Sequence, residues 1–194
     1  MARQRSSKAH QGVLDAALTL FAERGIERTS MDAIAELSGV SKATIYKHWA
    51  DKDALLLEVM SHARGVCERP KIDSGNTRDD LIAILRYKPP SKATGSVRER
   101  LMPHLLAYSA YNSEFGKAWR SMMMEPARQE IRYVLSRGIS NGEFSSALNC
   151  DVAIALLLGP MLYRHIFPGL PAMPDDEFAG NVVDAFRSAF SKER

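Results

Sequence analysis

The sequence predicts an all-α chain of about nine helices, the first four short and compact and the later five longer. Three observations carry this. No segment alternates apolar and polar residues cleanly at period two, as a half-buried strand would. Apolar residues instead recur at three- and four-residue spacing. Glycines, prolines and capping residues punctuate those stretches where helices would begin and end.

Each element follows from its own residues. In the first helix Leu14, Ala17, Leu18 and Phe21 fall on one stripe, and Gly25 is a stop signal. Thr29 and Asp32 have capping-box spacing and open a second helix, which turns Met31, Ile34 and Ala35 inward and ends at Gly39. A third runs from about Ser41 to Trp49. Asp51 can cap a fourth, KDALLLEVMSHARGV. The stretch ERPKIDSGNTRDD, rich in Pro, Gly, Ser and charge, reads as a connection. Thr77 with Asp80 caps the fifth helix, which the two prolines of YKPPSKATG end. Ser96 with Glu99 caps VRERLMPHLLAYSAY. A long helix follows from about Glu114 to Arg137, ended by Gly138. Asp151 to about Phe167 is a strongly apolar helix with Gly159 and Pro160 inside it. The last amphipathic helix starts at Asp175 and carries Phe178, Val182, Val183, Phe186 and Phe190.

Composition narrows the classes. With 194 residues the chain can bury a substantial core, and 45% hydrophobic with 25% charged residues is an ordinary globular balance. A net charge of +3 is too mild to announce a polyanionic partner, so any such reading rests on where the charges lie. Cys67 and Cys150 lie far apart with no metal-ligand neighbours and read as free buried thiols. The basic N-terminus is amphipathic and interrupted by Asp15, unlike a signal peptide. The longest apolar run, Val152 to Tyr163, is too short to span a bilayer of about 30 Å. The expectation is a soluble cytoplasmic protein with no membrane association.

Two short helices joined by the tight turn Ser38-Gly39-Val40 have the spacing of a helix-turn-helix. Projected at 100° per residue, a third helix that buries Ile45 and Trp49 faces Ala43 and Lys47 outward, with Thr44 and Tyr46 beside them and Lys42 and His48 at the edges. Lysine offers a charge for phosphate or a donor to guanine, and Thr44 offers a hydroxyl and a methyl. Small Ala43 permits close approach, while Tyr46 and His48 have polar tips for phosphate oxygens. Lys52 is placed for the adjacent phosphate. On spacing alone, a solvated surface helix fits as well as a groove reader. The basic arm of Arg3, Arg5 and Lys8 reads either as a disordered tail or as a segment that follows the DNA backbone.

The segments AALTLFAERG, IAELSGVSKATIY and KDALL, with the helix start at Thr29-Ser30 and the aromatic Trp49, occur in unbroken order over the first third of the chain. This region resembles the N-terminal domain of the tetracycline-repressor-like (TetR) family of transcriptional regulators. The family usually has phenylalanine where Trp49 stands, often glycine at Ala43 and often alanine at Leu37 and Ser38. The resemblance implies a homodimeric, ligand-responsive DNA-binding protein, most often a repressor. It implies a groove helix from Ser41 to His48. Lys42, Ala43, Thr44 and Tyr46 take base or near-base roles. Thr29, Tyr46, His48 and Lys52 take phosphate roles, and Lys47 contributes charge. Residues 1–66 are then the helix-turn-helix DNA-binding domain, with the motif at about 29–49. Residues 67–194 are a helical effector-binding and dimerisation domain.

The apolar helix from Asp151 is greasy nearly all round, so it is expected to bury more than one side. With the final helix it forms the candidate dimer interface, through Leu157, Gly159, Met161, Val182, Phe186 and Phe190. The alternative is that this pair only closes the monomer core. Met102, Leu105, Tyr108, Trp119, Met122, Met123 and Tyr163 suit an adaptable apolar effector pocket, and suit an ordinary core equally. His104 and His165 read as structural histidines, and Glu58 with His62 as a solvated surface pair. No catalytic motif, cofactor or metal site is expected. The leading expectation is a repressor that binds a palindromic double-stranded DNA operator as a homodimer and is released by a small, largely apolar effector. The competing reading is a small helical enzyme or ligand carrier whose N-terminal bundle does not bind DNA.

Overall fold

The computed structural model describes residues 2–64, 71–87, 95–167 and 173–191; within its helices the side chains of 2–6, 63–64, 95–96, 98–99, 123 and 165 are outside the description. The expectations for Cys67 and for the side chains of Arg3, Arg5, Ser96, Glu99, Met123 and His165 fall outside it. Among the described residues there are ten α-helices and one π-helical turn, and the extended pairing is limited to an isolated bridge between Phe144 and Ser191. The helices are α1 (Ala2–Arg24), α2 (Met31–Ser38), α3 (Lys42–His48), α4 (Lys52–Arg64), α5 (Thr77–Arg86), α6 (Gly95–Tyr111), α7 (Ser113–Trp119), α8 (Glu125–Ser140), α9 (Cys150–Ile166) and α10 (Asp175–Phe190). The fold is all-α, as expected. No described helix is long and apolar enough to cross a membrane.

Packing gathers the helices into two compact units: Met1–Glu68 with Pro89–Trp119, and Arg69–Lys88 with Arg120–Arg194. Helices α6 and α7 therefore pack with the N-terminal four, whereas the sequence-based division after residue 66 assigns them to the C-terminal part. In this first unit α1 presents Val13, Leu14, Ala17, Leu20 and Phe21 to the interior, where Ile34, Ile45, Leu55, Leu56 and Leu105 are also buried. The His104 ring of α6 lies against Gly25, whose φ of +84° suits only glycine well.

The second unit has its own core. Leu81 and Ile84 of α5, Ile131, Val134 and Leu135 of α8, Ile154 and Leu157 of α9, and Val183 and Phe186 of α10 close around Phe144. Polar ties frame it. Arg78 grips Asp184 through Nε at 2.6 Å and Nη2 at 2.8 Å, joining α5 to α10. Asp80 is buried and accepts from the Ser74 amide at 2.9 Å and from Arg137. Burial alone would push this carboxyl up, but the Ser74 and Arg137 hydrogen bonds and the guanidinium charge hold it below the ordinary carboxylate range.

Three expectations about helix ends are corrected. Ser30, not Thr29, caps α2, accepting from the Ala33 amide. Asn76, not Thr77, caps α5, while Thr77 is buried and donates to Glu143 at 2.8 Å. Gly138 does not end its helix: α8 continues to Ser140, and helical backbone runs from Ser113 through the π turn Arg120–Met124. The basic arm is no tail, for α1 is helical from Ala2.

Candidate nucleic-acid interface

The turn Ser38-Gly39-Val40 sets the geometry. Gly39 adopts φ +68°, the left-handed conformation that ends α2, and its amide donates to Glu36 O. Ser41 then caps α3, its hydroxyl accepting from the Thr44 amide at 3.3 Å and lying 2.9 Å from the Thr44 hydroxyl. Trp49 closes α3 from the other end, its amide donating to Ile45 O at 2.9 Å. Ile45 is fully buried and Trp49 is 2% exposed. The six other residues of α3, Lys42, Ala43, Thr44, Tyr46, Lys47 and His48, are all exposed. A helix this short with one buried residue is held by its caps, Ser41 and Trp49, and by Ile45, and the rest of its surface is exposed.

Two neighbours modify that surface. Lys42 pairs with Asp32 of α2. The His48 ring stands 5.4 Å from that of His10 and 5.6 Å from that of Trp49. Tyr46 is half exposed.

Two expected phosphate contacts sit elsewhere. Thr29 is buried, and its hydroxyl donates to Gly25 O at 2.8 Å and to Leu20 O at 3.3 Å. The Lys52 ammonium donates to Ile26 O at 2.8 Å and Thr29 O at 3.2 Å, and lies 5.9 Å over the Tyr108 ring. Lys52 locks the α1–α2 turn to α4, and Thr29 locks it to the end of α1, rather than facing outward. Glu58 stays at the surface, its side chain 42% exposed, but it is tied into the fold: it accepts the Trp49 indole N–H at 2.7 Å. No local spacing signals this, because its partners lie 9 and 48 residues away.

The expected effector residues divide between the two units. Leu105 and Trp119 are buried in the first. Met102 is half-buried there, and Tyr108 donates to Asp53 at 2.6 Å. Burial and this carboxylate push the Tyr108 phenol well up. Met122 and exposed Tyr163 belong to the second unit, as does Met123. Among the described residues the indole N–H of Trp119 is buried with no acceptor. Of the expected dimer residues, Leu157 and Phe186 lie inside the second unit's own core and Gly159 is exposed. Met161, Val182 and Phe190 are half-buried, packed against that core.

Residues 13–59 match the pattern of bacterial regulatory proteins of the tetR family, and residues 71–186 match the tetracyclin repressor-like C-terminal domain. The chain belongs to the TetR family. It is 31% identical over 183 residues to the DNA-binding transcriptional repressor TetR of Mycobacteroides abscessus, covering 89% of this chain and 88% of that one. It is 28% identical over 190 residues to the HTH-type transcriptional regulator YdeS of Bacillus subtilis, covering 95% and 91%. Among solved structures, a transcriptional regulator from Saccharomonospora viridis in complex with choline has the same fold, with a TM-score of 0.71 at 19% identity over 96% of this chain and 100% of that one. This TetR-family protein is a transcriptional regulator and not an enzyme. The reading as a helical enzyme or carrier is thereby set aside.

Proposed function

We propose that the protein is a ligand-released repressor that binds a palindromic operator as a homodimer. The observation that carries the reading is α3: Ile45 and Trp49 hold it from within, and all six other residues face solvent with side chains suited to DNA. Lys42, Ala43, Thr44 and Tyr46 would meet base edges, and Lys47, Tyr46 and His48 the backbone, with Ser41 fixing where the helix starts. Thr29 and Lys52 act from behind, by holding the turn that sets α2 and α4. One such helix reads too few bases for specificity, while two about 34 Å apart on a two-fold axis read a palindrome.

The dimer reading is supported by an apolar stripe on α9. Val152, Leu156, Gly159, Tyr163 and Phe167 recur at four- and three-residue steps, and Val152, Leu156, Tyr163 and Phe167 are 47–53% exposed. An unpartnered stripe of this kind is expected where a second copy packs. The effector reading is supported by the orphaned N–H of Trp119, which a ligand oxygen would satisfy, and by the choline found in a structural neighbour. Ligand binding would tilt α4 and change the spacing of the two reading helices, with a coupling of about 1–3 kcal/mol. Such a regulator works in the cytoplasm, where its operator lies.

The test is fluorescence anisotropy with duplexes from the gene's own upstream region across a salt series. Lys47→Ala removes two phosphate-facing charges per dimer, so the slope of log K against log salt should shrink by about 1.8 with the fold intact. An unchanged slope would take Lys47 off the DNA face. Wild-type protein with no sequence preference at moderate salt would end the operator reading.

A further inference from the structure

Both carboxylate oxygens of Glu58 are engaged, and the partners come from two other elements. Oε2 accepts from Trp49 Nε1 at 2.7 Å, and Oε1 lies 2.6 Å from Nε2 of His10. The His10 ring stacks on the Trp49 indole, with centroids 4.6 Å apart and planes 29° from parallel. One side chain of α4 therefore binds α1 and the residue that closes the reading helix.

The flank of α3 explains why such a tie matters. A partly open cleft of about 40 Å³ lies there, lined by His10, Val13, Thr44, Ile45, His48 and Trp49 among others, so packing on this side of α3 is incomplete. Trp49 caps the C-terminal end of α3, its amide bonded to Ile45 O at 2.9 Å, so a hydrogen bond on its indole reaches the helix through that cap. Phenylalanine would fill the ring site yet have no N–H to give.

We propose that Glu58 is the positioning residue of the reading helix: by accepting the Trp49 indole N–H it sets the rotation of α3, and so the alignment of Ala43, Thr44 and Tyr46 with base edges. His10 holds the carboxylate in place from the other side. Base readout tolerates errors of only about half an ångström, so releasing this tie lowers operator affinity without lowering affinity for DNA in general. The inference rests on the DNA-reading function above.

The experiment compares full-length wild type with Glu58→Gln, Glu58→Leu, Trp49→Phe and the double variant Trp49→Phe/Glu58→Leu. Binding is measured to the upstream duplex and to calf-thymus DNA at one salt concentration. Glutamine keeps an acceptor for the indole while losing the charge, so Glu58→Gln against Glu58→Leu isolates the hydrogen bond from the charge. Glu58→Gln should bind the operator within about twofold of wild type, and Glu58→Leu and Trp49→Phe about tenfold more weakly. The double variant should be no worse than the weaker single, because both remove one bond. Calf-thymus binding of Glu58→Leu should equal that of Glu58→Gln.

The Trp49 indole N–H resonance, assigned by its loss in Trp49→Phe, should move in Glu58→Leu and stay in Glu58→Gln. Should Trp49→Phe not fold, the two Glu58 variants decide the matter alone. Equal operator affinity in Glu58→Leu and Glu58→Gln overturns the proposal, as do parallel losses on both DNAs or additive losses in the double variant. Wild type without operator preference instead overturns the DNA reading, and the indole resonance then reports a tie that is structural only.

Discussion

Replacing Gly138 by alanine sets two opposing effects against each other, and the structure says which wins. Glycine inside a helix normally costs about 0.5–1 kcal/mol relative to alanine, so the naive expectation is a gain. A Cβ at Gly138 would stand 2.7 Å from Cδ2 and 2.8 Å from Cε2 of Phe144, well inside van der Waals contact. The ring has nowhere to retreat. Phe144 is fully buried, stands edge-on to Phe186 at 5.7 Å, and bonds its own amide to Gly138 O at 3.3 Å. Overpacking of this kind costs about 1–3 kcal/mol, so against the helical gain the net effect is a loss of about 1 kcal/mol, at most about 2.5. For a chain of this size a loss of about 1 kcal/mol lowers Tm by about 2–4 °C. Gly180, in α10, is the control: a Cβ there meets nothing within 4 Å, so Gly180→Ala should gain about 0.5 kcal/mol. Thermal and urea melts at matched protein concentration measure both. A Gly138→Ala variant as stable as wild type, or two substitutions of the same sign, would refute the reasoning.

Two further outcomes follow from other parts of the second unit. Leu156→Arg places a charge on the exposed stripe of α9 without touching the core, so light scattering should find a folded monomer with weak operator binding; an intact dimer would move the interface elsewhere. The Asp80 carboxyl is held below its unfolded value, so its contribution to stability is complete above about pH 4 and fades as pH falls through the lower folded value. Asp80→Asn should therefore flatten the acid side of the stability profile below about pH 4, and an unchanged profile would deny the Arg137 pairing this role.

The exposed face of α3 was legible because projecting a helix needs only the spacing of Ile45 and Trp49. The caps slipped by one residue at Ser30 and Asn76, where two neighbouring polar side chains compete for the same amides and tertiary packing decides. Thr77 is drawn inward to Glu143, 66 residues away, which sequence spacing does not reveal, and Thr29 turns its hydroxyl back to Gly25 O rather than outward. Lys52 looked like a phosphate ligand because charge is visible in sequence, whereas the carbonyls that take it, 23 and 26 residues earlier, are not. Gly138 carried a true signal with the wrong meaning: the chain needs glycine there for room against Phe144, not to stop the helix. The apolar character of α9 was plain, yet only the folded chain separates Leu157, which faces its own core, from Leu156, which does not.

Because a single residue of α3 is buried, the core makes few demands on the rest of the helix beyond the contacts of Lys42 with Asp32, Thr44 with Ser41, and His48 with His10 and Trp49. On the proposed reading, sequence preference can therefore drift, or be re-engineered, at the remaining positions with little thermodynamic penalty to folding. A library randomised at Ala43 and Tyr46 should yield mostly well-folded proteins that differ in which promoters they recognise.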